Sequence, residues 1–376
     1  MSRGGGWPRV RAVHDVRPLV SLLSRPIVAL DVGCRWGVTD GWGALLPDAL
    51  RVYAFDADPD ECARLQAAAP EGVAYVPLAL GDRSREATLY LTAAPGCSSL
   101  FPPAEPLRER TPALREELRV VAREPLRLET LDRWAADEGV VRVDVMKLDV
   151  QGAEGLVLEG AATVLQDVRV IESEVVFNPL YEGQALFGDV DRLLRNHGFE
   201  LWSLRQLVHY SADWRTGDAP VDDVQITDSR PTGFRAEGGQ LSWGHAYYVA
   251  PEYLSGDWSS PAEAARDAVA ASLLGLDELA RHAATKAGVA LDAAQDEDAL
   301  VEVAEDEVAE TAPVAVGGEP ATADGAELLL ELDRVRADRD ALHAELHRVR
   351  ADRDRLQAGA ARGGTVERVR SRLRRS

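Results

Sequence analysis

The run Ala29-Leu30-Asp31-Val32-Gly33-Cys34-Arg35-Trp36-Gly37 decides how the rest of the chain is understood. An apolar stretch, Ile27 to Leu30, ends in a carboxylate, and two glycines follow before the pattern turns helical. A buried strand that turns on glycine and enters a helix brings backbone N–H groups up to a ligand. The acid stands at the strand end, ahead of the glycines. Dinucleotide loops of the dehydrogenase type read Gly-x-Gly-x-x-Gly and carry their acid on the next strand. The chain lacks that pattern after its first strand, which argues against a nicotinamide-dependent oxidoreductase. An acid in this place suits a ligand that carries positive charge.

The surrounding chain has 376 residues, 46% of them hydrophobic, enough for one large domain with appendages. A net charge of −21 opposes nucleic-acid binding, because phosphate contacts need a basic face. Three cysteines, Cys34, Cys62 and Cys97, have no metal-ligand spacing; no spacing in the chain demands a metal, although Asp149, Glu174 and a neighbouring acid could present oxygen ligands to Mg²⁺. Their number fits a reducing, cytoplasmic compartment. The N-terminus has no apolar leader core, and no run of 18 apolar residues predicts a membrane span.

Working outward, residues 1–252 read as one α/β unit in which β-type runs alternate with helical patterns, implying a largely parallel sheet. Strands are expected near 27–31, 51–55, 73–78, 86–92, 143–148, 168–175, 199–204 and 245–250, with a helix near 185–197. The stretch 93–125 holds six prolines and many charges, and reads as a long irregular loop or lid. Residues 258–290 are Ala-rich and helical in pattern. An acidic linker, 291–325, carries nine acids between 292 and 310 and no Lys or Arg there. Asp333 to Leu342 recurs almost unchanged fourteen residues later, predicting a coiled coil over 326–358 that offers self-association or a protein partner. A basic tail, 359–376, follows, expected to be disordered.

Asp31 gains meaning from its company. Asp56 ends the second strand, where nucleoside-binding α/β folds place an acid for the ribose diol, and Asp82 ends the third after Gly81. Three ordered strand-end acids over one glycine loop, Gly33 and Gly37, describe a cationic nucleoside site; S-adenosylmethionine carries both an ammonium and a sulfonium. With these go Val52-Tyr-Ala-Phe-Asp56-Ala-Asp-Pro59, Ser98-Ser99-Leu100, Thr130-Leu-Asp132 and Met146-Lys-Leu-Asp149-Val-Gln-Gly152-Ala-Glu154. Over about residues 25 to 250 the chain resembles the FkbM-type family of S-adenosylmethionine-dependent methyltransferases. The resemblance implies a class I, Rossmann-like methyltransferase fold: a seven-stranded, mostly parallel sheet with helices on both faces and a reversed last strand. It also implies methyl transfer, usually to oxygen, on sugars or secondary metabolites. Two departures stand out: Arg35 replaces the middle glycine of the common loop, and Asp56 stands where the family often has Glu.

A hydroxyl nucleophile must lose its proton, and ligands bind beyond the carboxyl ends of the strands. Asp149 and Glu174 are therefore the candidate base or substrate-positioning groups, and His209, expected in a loop after the sixth strand, is a third. Glu154 opens a helix and suits its dipole. Trp36, Trp202 and Trp214 could line a sugar or adenine face, and core packing explains them equally well. The expected activity is O-methylation of a sugar hydroxyl on a glycan or glycosylated metabolite. Arg35 and the heptad repeat raise an alternative, a non-catalytic scaffold that recruits partners through 326–358.

Overall fold

The protein is described from a computed structural model covering residues 15–39, 42–105, 112–210, 225–227 and 240–291. The heptad segment, the basic tail, Trp214 and all but Leu291 of the acidic linker lie outside them. Eleven strands are placed among the described residues: β1 Ile27–Val32, β2 Leu50–Asp56, β3 Val73–Pro77, β4 Ala79–Leu80, β5 Arg85–Thr92, β6 Val120–Glu129, β7 Val145–Leu148, β8 Val170–Val176, β9 Glu200–Tyr210, β10 Gln225–Thr227 and β11 Gln240–Val249.

Eight of these strands form the main sheet in the order β10-β9-β11-β8-β7-β1-β2-β3. β1 is parallel to β2 and β7, β2 to β3, and β7 to β8. The central strands are short apolar runs because helices cover both faces of a parallel sheet. β11 runs antiparallel between β8 and β9, which supplies the expected reversed last strand. β10 adds an eighth strand at the edge, where seven were expected.

The stretch 93–125 is not one irregular loop. β6 pairs antiparallel with β5 and parallel with β4 to make a second, three-stranded sheet. Most of β6 from Val121 to Pro125 is exposed, so its charges and proline lie towards solvent and imitate a loop in the sequence.

The Ala-rich segment is two helices, Pro261–Leu273 and Asp277–Lys286, separated by a turn with Gly275 at φ +61°. Ser260 caps the first by accepting from the Glu263 N–H, with Pro261 in the first turn. These helices join the main core, since Ala265, Ala268, Val269 and Ala283 are buried in the cluster that holds β1, β7 and β8. Arg25 pairs with Asp144 through both oxygens at 2.8 Å, and Arg266 reaches the same carboxylate at 2.7 Å. Arg169 grips Asp267 at 3.0 and 2.8 Å. Asp144 and Arg169 stand just before β7 and β8, so this ion-pair girdle ties the amino-terminal edge and leaves the carboxyl edge for a ligand. No helix among the described residues is long and apolar enough to cross a membrane.

Candidate active site

A crevice of about 450 Å³ opens beyond the carboxyl ends of β1, β2 and β7. That is the edge where open α/β sheets bind ligands. One wall holds Gly33, Asp56, Asp58 and Asp149, and the facing wall holds Leu89, Leu91 and Glu124 of the β5–β6 hairpin. Trp36 stands at the rim, 76% exposed.

The glycine loop closes on the β7 turn. Gly33 has φ +93°, and a Cβ there would lie 1.8 Å from the Asp149 carbonyl oxygen, so only glycine lets the two segments meet. Gly37, at φ +112°, turns the chain without lining the crevice. The Gly33 and Cys34 N–H groups donate to the Phe55 carbonyl at 2.9 and 3.1 Å, so they brace β2 and do not face a ligand. Cys34 is buried within the loop.

Asp31 is not a wall residue. It is 1% exposed, accepts from the Thr39 N–H and hydroxyl at 2.9 and 3.0 Å, and pairs with Lys147 Nζ at 3.3 Å. Burial works against the Lys147 charge, but Asp31, Asp149 and Glu172 outweigh it and hold the ammonium above its ordinary value. Lys147 registers with Asp31 on one side and Glu172 on the other, and Glu172 lies 3.0 Å from His245 Nδ1. Alternating charges thus run across the sheet beneath the crevice.

Asp56 is on the wall, as its position predicts. Burial raises its pKa, against the Asp58 N–H, which donates to Oδ1 at 2.8 Å, and against Arg35. Arg35 bridges Asp58 at 3.1 Å and Asp56 at 3.9 Å, so the residue that departs from the common loop borders both acids of this wall. Asp58 also caps the helix Pro59–Gln66. Asp82 is turned to other use: Arg85 and Arg83 pair with it at 3.0 and 3.4 Å, and it does not line the crevice.

The β7 turn gathers the carboxylates. Asp149 lines the crevice, while Glu174, on β8, stands behind it and shares a hydrogen bond with it. Glu174 is held well above the usual carboxyl range by burial first, then by Asp149 and Glu154. Glu154 is buried and its Oε1 accepts the Val150 and Gly152 N–H groups at 2.9 and 3.3 Å, so it locks the turn. Its pKa is pushed up to about 7 by burial.

His209 is not brought to this group. It lies within β9, paired in register with Leu241 of β11, and β11 and β8 separate its strand from β7. β9 runs to Tyr210, past the end expected at 204, because β11 and β10 both pair with the extension. Trp202 lines a separate surface groove with Tyr253 and His282.

Three side chains that sequence reasoning passed over belong to the site. Gln151 has φ +53° and lines the crevice. Tyr181, 1% exposed, donates from its hydroxyl to Gln151 Oε1 at 3.0 Å or to the Cys97 carbonyl at 2.8 Å. Ser99 donates to the Gln151 carbonyl at 2.6 Å. The signal for Gln151 was its place between Asp149 and Gly152; Tyr181, 30 residues on, closes the stretch Glu174-Val-Val-Phe-Asn-Pro-Leu-Tyr181 that also fits the family, with no role attached to it.

A family profile described as "Methyltransferase FkbM domain" matches residues 44–201. The 2-O-methyltransferase NoeI of Sinorhizobium fredii is 30% identical over 173 residues, 45% of this chain and 71% of the relative. The chain belongs to the FkbM methyltransferase family. The profile match contains Asp56, Asp149 and Glu174 but begins after the glycine loop. Among solved structures, magnesium protoporphyrin IX methyltransferase from Synechocystis PCC 6803 with bound SAM is 12% identical, covering 62% of this chain and 76% of that one at a TM-score of 0.29. A TehB-like SAM-dependent methyltransferase from Corynebacterium glutamicum is 15% identical, covering 65% and 90% at 0.28. Nothing about the site rests on these two likenesses.

FkbM methyltransferases take their methyl group from S-adenosylmethionine. The residues present fit that donor. The crevice has the volume of a nucleoside-sized site, Asp56 offers a carboxylate on its wall, and the glycine backbone at residue 33 leaves no side chain in the way. Asp56 and Asp58 would hold the nucleoside end.

Proposed function

We propose that the enzyme methylates a hydroxyl of a sugar, on a glycan or a glycosylated metabolite. The observation that carries this is Asp149: a carboxylate on the crevice wall, at the turn that meets the glycine loop, backed by Glu174. The named activity of NoeI, a 2-O-methyltransferase, supports oxygen as the methylated atom.

When bound, the donor supplies an electrophilic methyl group on sulfur. The chain's contribution is to hold the acceptor in line and to take its proton. Asp149 receives the hydroxyl proton, and Asp56 accepts from the ribose hydroxyls. Asp31 acts at one remove, by holding Thr39 and balancing Lys147. Trp36 offers an exposed ring on which the apolar face of a sugar can rest, beside Gly96, where a side chain would lie 3.7 Å from the indole nitrogen. Leu89 and Leu91 give the hairpin wall an apolar surface, and Glu124 gives it one acceptor for a second hydroxyl.

The test is transfer of labelled methyl from S-adenosylmethionine to glycan fractions of the source cell, with Asp149→Asn as control. A sugar methyl ether in the wild-type reaction, reduced about a hundredfold or more in the variant, is the expected result. Methyl found only on nitrogen, or undiminished in Asp149→Asn, overturns it.

A further inference from the structure

We infer that Gln151 is a positioning residue that fastens Asp149 and Glu174 into one unit and holds Asp149, the member on the crevice wall, towards the acceptor's proton. The inference rests on Asp149 as the base.

The backbone is the first sign. Gln151 has φ +53° and is followed by Gly152 at +97°. A residue with a side chain in the left-handed region costs about 1–3 kcal/mol and persists where the surroundings impose it, often at functional sites. The side chain shows what this placement achieves. Its Nε2 donates to Asp149 Oδ1 at 2.9 Å and to Glu174 Oε2 at 3.0 Å. An amide nitrogen has two hydrogens, and both are committed. Oε1 lies 3.0 Å from the Tyr181 hydroxyl, whose one hydrogen serves either it or the Cys97 carbonyl at 2.8 Å. The backbone carbonyl receives Ser99 at 2.6 Å, which fixes it from the hairpin side.

Two carboxyl groups this close share one proton more readily than they hold two charges. The groups around the pair come from every packed element: Lys147 on β7, Glu154 on the following helix, Tyr181 after β8, Cys97 on the turn before Ser99, and His245, in register with Glu174 on β11. Burial favours the protonated form of Glu174. Gln151 donates to both members, and Asp149 is the one that lines the crevice. In transfer, an acceptor oxygen lone pair forms the O–CH₃ bond, the C–S pair stays on sulfur, and the O–H proton moves to Asp149.

The experiment is a carboxyl ¹³C NMR titration of the full chain labelled at Asp and Glu, with Asp149→Asn and Glu174→Gln assigning the two signals. Gln151→Met keeps the side chain's length and removes both donors. The expected result is a coupled titration of the carboxyl pair moved up by about one pH unit or more. A pair titration unmoved in folded Gln151→Met overturns the inference. If that variant does not fold, Gln151→Leu, which also removes both donors, is titrated instead: an upward shift supports the inference, and none overturns it. The titration decides this point whether or not the donor binds, while failure of the wild type to bind donor removes the functional proposal instead.

Discussion

Asp56 is a carboxylate that burial makes harder to ionise, and the ribose role proposed for it is best served by the ion. The carboxylate is the stronger acceptor for a pair of hydroxyls, so on that proposal donor affinity falls as pH drops through its raised pKa. Calorimetry from pH 8 down to 4 is expected to show the loss beginning above the ordinary Asp value of about 3.9. Asp56→Asn is expected to bind about ten- to a hundredfold more weakly at neutral pH and to lose this pH dependence. Glu154 gives the opposite sign, in stability. Its folded pKa lies above the unfolded value, so the native state keeps a proton that the unfolded chain releases. That contribution is full at low pH and is lost as pH rises through about 7. Glu154→Gln keeps an acceptor for the Val150 and Gly152 N–H groups and removes the titration. Urea unfolding is expected to show the variant gaining about 1–3 kcal/mol over wild type at pH 8, with no such gain at pH 4. Equal differences at both pH values would contradict the assignment.

The helix Pro261–Leu273 shows how an element can be legible in kind and illegible in role. Its cap and composition are plain in the sequence, yet nothing local says that it completes the core around β1. Asp267 makes the point: it is 1% exposed, accepts from Arg169 and from Trp258 Nε1 at 2.8 Å, and Arg169 lies 98 residues away. Asp267→Ala leaves a buried guanidinium without its main partner, and a loss of about 3–5 kcal/mol in urea unfolding is expected. A change below 1 kcal/mol would mean water reaches the pair. The site divides along the same line. Asp56 and Asp149 were legible because strand-end position alone places them on the crevice. Asp31 was not, because its partner Lys147 is 116 residues distant. The fate of Asp82 could have been anticipated from Arg83 and Arg85 at its side. His209 was misplaced because β9 is lengthened by strands that come later in the chain.

At the scale of the molecule the two edges of the sheet have different work. Beneath the amino-terminal edge, Arg25, Asp144, Arg266, Arg169 and Asp267 bind the late helices to the strands in ion-pair clusters. At the carboxyl edge, acids outnumber cations on the crevice wall, with Arg35 set against Asp56, Asp58, Asp149 and Glu124, which favours a cationic donor. The arrangement means that the family match, ending at residue 201, and the sheet, ending with Val249, both stop short of the folding unit. A chain ended after Ser259 lacks Arg266 and Asp267, leaving Asp144 with one arginine and Arg169 without its buried acid, and bares the surface that Ala265, Ala268 and Val269 cover. A chain ended after Leu291 keeps both helices. The expected outcome in paired thermal and urea unfolding is a cooperative transition for the longer chain and a lost or non-cooperative one for the shorter. The shorter chain is also expected to bind a dye for exposed apolar surface. A cooperative transition of equal midpoint in both would show the helices to be an accessory, and the core to close without them.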